Sequence, residues 1–346
     1  MILEILPPAN TTQNLSRYML DLGDAGRWSY FSLQATLFYF LVFLTLYSLF
    51  ENDSEKRSWS MISALQKVVV SKWTFIFFIL AFILFSRIPL AIYGFQNPDE
   101  SLWIAMAKTL IHDPRYWVSV DGGTGGPLVA FSLISLKIVG LPIDFGTLKI
   151  MTATLMAISL SFLFLTFTME FGSLLGRLLI LTFVVAVAVM KNNDMIAYNS
   201  EHLVIILISI AFYFIARLKN LGPGRLYFNI IAIGLFLGAV PLAKLQGAPM
   251  AFLFGLFACL IIYTSRVKKL LIILIGSALL PTLFTLLIVL SYSGFNDFWF
   301  SYISNNLLYA SQNNVGGFKE SMKLLIHLLY EPRELNYFLN YSSVVI

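Results

Sequence analysis

Trp73-Thr-Phe-Ile-Phe-Phe-Ile-Leu-Ala-Phe-Ile-Leu-Phe-Ser-Arg87-Ile-Pro-Leu-Ala-Ile-Tyr-Gly-Phe95 is a run of 23 residues with one charged side chain, and Gln96-Asn97-Pro98-Asp99-Glu100-Ser101 follows at once. A helix needs about 20 apolar residues to cross a bilayer. Pro98 breaks the run, and two carboxylates beyond it belong in water. Working outward, seven more apolar runs repeat the pattern: Phe31–Phe50, Leu148–Thr168, Leu174–Met190, Leu203–Ala216, Phe228–Ala243, Pro249–Tyr263 and Leu270–Leu290. A ninth, Pro127–Val139, has about 13 residues and suits a helix lying at the interface better than a span. Of the 346 residues 58% are hydrophobic and 12% charged, half the charge of a soluble domain, and 15% are aromatic. A soluble globule and a disordered chain are both excluded. The pattern predicts an all-α, polytopic transmembrane protein of about eight spans.

The spare cations set the direction of the spans. Segments 51–72, 217–227 and 264–269, with Arg177 after the third span, hold 11 of the 23 Lys and Arg residues in about 48 positions. The opposite-side segments (1–30, 96–146, 191–201, 243–246 and 294–346) hold 10 in about 149 positions, with 14 of the 18 acidic residues. The short basic loops are therefore expected in the cytoplasm and both termini outside, in the plasma (inner) membrane. The net charge of +5 then reflects sidedness rather than a nucleic-acid partner. The single cysteine, Cys259, lies in an apolar run, so the chain has no internal disulfide and no Cys-x-x-Cys zinc motif. No cleavable leader is read in the first thirty residues. The chain divides into 1–72 (outward N-terminus, first span and basic loop), a core 73–293 with the outer loop 96–146, and an outward segment 294–346.

The polar residues that remain gather on the outer side. Pro98, Asp99, Glu100 and Ser101 suit the capped, negatively charged start of an interfacial helix over 102–111. Its apolar side is Leu102, Trp103, Ala105, Met106 and Leu110, with Lys108 and His112 nearer the other. Downstream, Asp121-Gly-Gly-Thr-Gly-Gly-Pro127 offers backbone N–H groups at Gly125 and Gly126 but lacks nucleotide P-loop spacing. Asp194, Glu201 and His202 fall at the start of a later span, where a carboxylate also gains from the helix dipole. Lys244-Leu-Gln246 makes a tight polar turn, and Arg87 lies about eight residues inside its span. Carboxylates with cationic neighbours at one membrane face suit a general base acting beside an anionic lipid head group. His112, His202 and His327 are too scattered to predict a metal site, and His202 beside Glu201 makes only a weak ligand pair.

The order of these motifs resembles the GT-C membrane glycosyltransferases, in the branch of the protein O-mannosyltransferases and aminoarabinose transferases. The matching residues are Pro98-Asp99-Glu100 after an in-to-out span, Gly126-Pro127-Leu128 opening a second interfacial helix, Glu201 at a later span start and Ala243-Lys244 in an outward turn. The aromatic segment Asp297-Phe-Trp-Phe-Ser-Tyr-Ile-Ser-Asn-Asn306 completes them, over about residues 73–310. The resemblance implies a GT-C fold and a polyprenyl-phosphate-linked sugar donor used at the outer face, with a glycan, glycolipid or protein acceptor. Asp99 would take the acceptor proton, with inversion at the sugar carbon, Glu100 would orient the site, and Glu201 would be the second acid. Lys244, Arg115, Arg87 and the Gly125 and Gly126 backbone would face the phosphate, because the lysine common at the second interfacial helix is missing here. Asp194, His202, Gln246 and Asn305 would place acceptor or sugar. No cofactor is implied as obligatory, and a role for a divalent cation is left open.

The span before residue 73 departs from the family pattern, and so does the end at Ile346, which suits a short variant, a truncated product or a fragment. Two other functional classes compete. A transporter or flippase would carry carboxylates mid-span, broken helices and an internal repeat. A non-catalytic structural subunit of a membrane assembly would be indifferent to loss of Asp99. A further amphipathic helix is expected over 318–331, and the sequons at Asn10, Asn14 and Asn340 fall on the outward side.

Overall fold

A computed structural model of the chain describes residues 23–47, 71–93, 96–120, 125–190, 193–218, 223–264 and 269–308. The 318–331 helix, the three sequons and the centre of the glycine loop, 121–124, lie outside them. The elements are α1 (Gly23–Tyr47), α2 (Lys72–Tyr93), α3 (Pro98–His112), α4 (Pro127–Ile138), α5 (Phe145–Phe171), α6 (Ser173–Val189), α7 (Asn193–Ile196), α8 (Ser200–Arg217), α9 (Pro223–Ala243), α10 (Ala248–Thr264) and α11 (Lys269–Ser291). A short turn, Phe295–Asp297, and a π-helix, Phe298–Ser304, follow. Among the described residues the only β-type pairings are two isolated bridges.

Seven of these helices are long and apolar enough to cross a membrane, as a multi-pass membrane protein requires. The eighth expected span is α6, whose 17 residues cover about 25 Å. It leaves α5 through Gly172, at a φ of 85°, and its far end meets Arg87 of α2. The bundle thus has two ends. The starts of α5, α8 and α10 and the ends of α2, α6, α9 and α11 share one of them. Helix α4 begins against Ala243 at that end and hands over to the start of α5 there, so it does not cross.

Three apolar clusters hold the bundle. Leu41, Phe75, Ile79, Phe164 and Ile180 join α1, α2, α5 and α6. Ile215, Ile233, Ala258 and Leu274 join α8 to α11. A third cluster caps the site end, with Trp103, Met106 and Leu110 of α3, Val129 and Leu133 of α4, and Trp117, Phe298 and Tyr302. Helices α9 and α11 approach backbone to backbone: a Cβ on Gly238 would lie 1.9 Å from the Ala278 carbonyl oxygen, and one on Gly234 as close to Ser277 Oγ. Small residues at this spacing are how membrane helices pack closely.

Two details differ from the sequence reading. The buried face of α3 is Glu100, Trp103, Ile104, Met106, Ala107 and Leu110, so Leu102 and Ala105 stand on the exposed side. The docked cluster selects that face, and an apolar count alone places it one residue away. Arg177 is no loop cation either. It is fully buried in the first turns of α6, with Nη1 donating to the Leu44 carbonyl and the guanidinium 5.3 Å from the Phe75 ring. Its charge stays at the basic end of the bundle while its donors close the end of α1.

Candidate functional site

Helix α3 starts on Asn97, whose side chain accepts from the Asp99 N–H at 2.8 Å, while Ser101 Oγ returns a bond to the Pro98 carbonyl at 2.6 Å. The cap is therefore Asn97, and the Asp99 carboxylate is left exposed at a positive helix end. Its neighbour Glu100 is fully buried. Lys149 Nζ of α5 donates to Glu100 Oε2 at 2.8 Å, and the Tyr198 N–H donates to Oε1 at 3.0 Å. Both carboxylate oxygens are engaged, so Glu100 positions elements and does not itself reach a ligand. Adjacent carboxylates have opposite surroundings because successive residues of a helix face about 100° apart.

Helix α8 is built similarly. Asn199 caps it, accepting from the Glu201 N–H at 3.2 Å and donating to the Asp194 carbonyl at 2.9 Å. His202 closes the capping box through Nδ1, 3.4 Å from the Asn199 nitrogen, and is almost wholly buried. Expected as a ligand-positioning group, His202 is buried at the helix start, where Nδ1 takes part in the cap and Nε2 has no hydrogen-bond partner among the described residues. Glu201 is exposed, accepts from Ser200 Oγ at 3.1 Å, and pairs with Lys244 Nζ. The Lys244 turn in its turn pairs with the glycine loop: the Gly126 N–H donates to the Ala243 carbonyl at 2.9 Å, and Gly125 bridges Lys244.

Those glycines serve packing. A Cβ on Gly126 would sit 2.0 Å from the Leu242 carbonyl oxygen, and one on Gly125 2.0 Å from the Trp103 ring. The Gly126 N–H expected at a phosphate is thus already bonded. Tyr302 OH of the π-helix donates to the Pro241 carbonyl, and Gln246 Nε2 bonds Asn306 Oδ1 at 2.8 Å. Asn306, rather than the exposed Asn305, makes this contact. Exposed Asp194 contributes its backbone carbonyl to the cap of α8.

The cations divide sharply. Arg87 is buried, with Nη1 2.8 Å from the Met190 carbonyl and Nη2 bonded to the Val187 carbonyl, so it closes the end of α6 and does not face a phosphate. Arg115 pairs with Asp113 at 2.7 Å in an exposed loop, and its hydrogen bonds hold that carboxyl well below the usual range. The loop is pinned beneath, where Trp117, at a φ of 68°, packs on Phe298 and Tyr302. Tyr198 bonds Ser132 Oγ at 2.5 Å and the Val129 carbonyl at 3.1 Å, and burial pushes its phenol up. An open apolar groove between α3 and α4, lined by Leu110, Ile111, Phe131, Ile134 and Ile138, has Lys137 at its rim. Among the described residues no three His, Cys, Asp or Glu side chains are placed to hold a metal ion.

One chain of direct contacts therefore joins α3, α5, α8, the Lys244 turn and the glycine loop, with Asp99 and Glu201 as its exposed acids. Comparison names no relative. No family model, curated protein or solved structure matches the chain. Sequence reasoning passed over Lys149, Tyr198 and Asn199. A lysine four residues inside an otherwise apolar span was the available signal for the first of these.

Proposed function

We propose that the chain is a membrane glycosyltransferase that moves a sugar from a polyprenyl-phosphate donor to an acceptor hydroxyl at the outer face, with Asp99 as general base. The observation that carries this reading is the pair of exposed carboxylates, Asp99 and Glu201, presented by two helix starts at one bundle end with Lys244 beside Glu201. Asp99 takes the acceptor proton as that oxygen bonds the sugar carbon. The bond from that carbon to the phosphate oxygen breaks, and its electron pair leaves on the phosphate, opposite Lys244. Glu201 orients the acceptor or sugar. The apolar groove between α3 and α4 offers the prenyl tail a lipid-side path, and Lys137 stands at its rim. The GT-C fold belongs to this same reading.

The position of the acids favours transfer over transport. Among the described residues no Asp or Glu lies mid-span: Glu170 is at the end of α5, and the site acids are at helix starts. The test is transfer of labelled sugar from lipid-linked donors by purified protein in lipid. Asp99→Asn should fold normally and lose turnover by at least about 100-fold. Equal turnover in Asp99→Asn removes the assigned base, and no transfer with any donor removes the transferase reading.

A further inference from the structure

Asp99 and Glu201 lie 102 residues apart in the chain, yet their usefulness as a pair depends on a fixed separation. Neither touches the other in the contacts described above. What joins their helix starts is the carboxylate between them: Glu100 is next to Asp99 in α3, and its Oε1 holds the Tyr198 N–H, three residues before Glu201. Its Oε2 holds Lys149, which is fixed in the long span α5 and also lies 5.5 Å from the Phe145 ring. Glu100 and Lys149 are respectively 0% and 5% exposed. Thr152, one turn along α5, lines the same small cavity as Lys149 and Arg87, and its hydroxyl is buried without a hydrogen-bond partner.

We propose that the Glu100–Lys149 pair is an indexing device, with Lys149 a positioning residue that sets the separation of Asp99 and Glu201 by holding Glu100 against the Tyr198 backbone. The functional half of this inference rests on the transferase reading, and the geometric half does not. Two charges withdrawn from water are costly, and a hydrophobic pair of the same size is often as stable or more so. A conformational role accounts for keeping them. With the pair intact, the first turn of α3 and the residues before α8 move as one body on α5. Without it, the direct tie between the two helix starts is gone, and what remains is each cap, Asn97 or Asn199, and the longer path through α4, the glycine loop and the Lys244 turn. The missing constraint is registration between the two acids, and misplacement by about 1 Å is enough to cost about 100-fold in rate.

The test uses the full chain in lipid with Cys259→Ser, and nitroxide labels at Leu102→Cys and Met195→Cys, both exposed positions near the two helix starts. Dipolar spectroscopy should give one narrow distance distribution in the parent and a broad one in Lys149→Met. Lys149→Arg, which keeps the charge and donors, should restore it. The double variant Glu100→Gln/Lys149→Met leaves no unpaired buried charge, so it decides the matter if Lys149→Met fails to fold. Without labels, turnover should fall about 100-fold in the double variant with KM unchanged within twofold, and return toward the parent in Lys149→Arg. A narrow distribution in the folded double variant overturns the indexing device. Broadening in a protein that transfers no sugar supports the device and removes the transferase reading alone.

Discussion

Two lysine–glutamate pairs at the same bundle end differ in what surrounds them, and the difference predicts separate outcomes. Lys149–Glu100 is dry, whereas the Lys244 and Glu201 side chains are 22% and 50% exposed. Removing one partner of a buried pair leaves a bare charge in a low-dielectric site and costs about 3–5 kcal/mol. An exposed pair is worth about 0–1 kcal/mol. Glu100→Ala should therefore lower the unfolding midpoint of the purified protein strongly, also because the Tyr198 N–H loses its acceptor. Lys244→Gln should leave that midpoint near wild type, and on the transferase reading transfer should fall about tenfold or more through the charge lost beside the donor phosphate. If Lys244→Gln destabilises as much as Glu100→Ala, Lys244 is a structural residue. The exposed acids were legible in the sequence because proline and asparagine mark helix starts locally. The fates of Glu100 and Arg87 were not, since each is settled by partners far along the chain that the local pattern does not contain. Arg87, for instance, meets carbonyls 100 and 103 residues away.

Helices were the easiest features to read, because a span is specified by composition over its whole length. The run Leu270–Leu290 becomes Lys269–Ser291, and Leu174–Met190 becomes Ser173–Val189, with differences only at the ends. Which faces meet is a finer matter, decided by single atoms. Gly234-Leu-Phe-Leu-Gly238 in α9 carried the signal for its contact with α11, since two small residues four apart open one strip of backbone. Gly276 of α11 has open space where its Cβ would go, whereas Gly238 does not. Gly238→Ala should then cost about 1–3 kcal/mol through overpacking. Gly276→Ala should be neutral or stabilising by up to about 1 kcal/mol, since alanine stiffens a helix. Unfolding midpoints of the two variants check this, and an equal response would mean that the close crossing of α9 and α11 is not what holds them. The face of α3 escaped such reading because α4, Trp117 and the π-helix all dock on it, and the nearest of these is outside the local sequence window.

At the scale of the molecule, the two ends of the bundle differ in charge, and a membrane turns that difference into orientation. The site end presents Asp99, Asp113, Asp194 and Glu201, while Lys72, Arg217, Arg225 and Lys269 lie toward the other end, joined by the buried Arg177. Basic residues in short loops stay in the cytoplasm during insertion, so the acid-rich end should face outward. That placement matters chemically, because α3 and α4 together with the groove between them would then meet the outer leaflet, and the donor would have to be presented there. In a Cys259→Ser background, Ser101→Cys at the site end should react with a membrane-impermeant maleimide added to intact cells. Lys269→Cys, an exposed position at the opposite end, should react only after the membrane is opened. Reversed labelling would place Asp99 in the cytoplasm, and the outer-face transfer reading would fall even if the purified protein moved sugar. Labelling of both positions from outside would instead contradict the odd number of crossings between α3 and α11, in which α6 has to count as a span of only 17 residues.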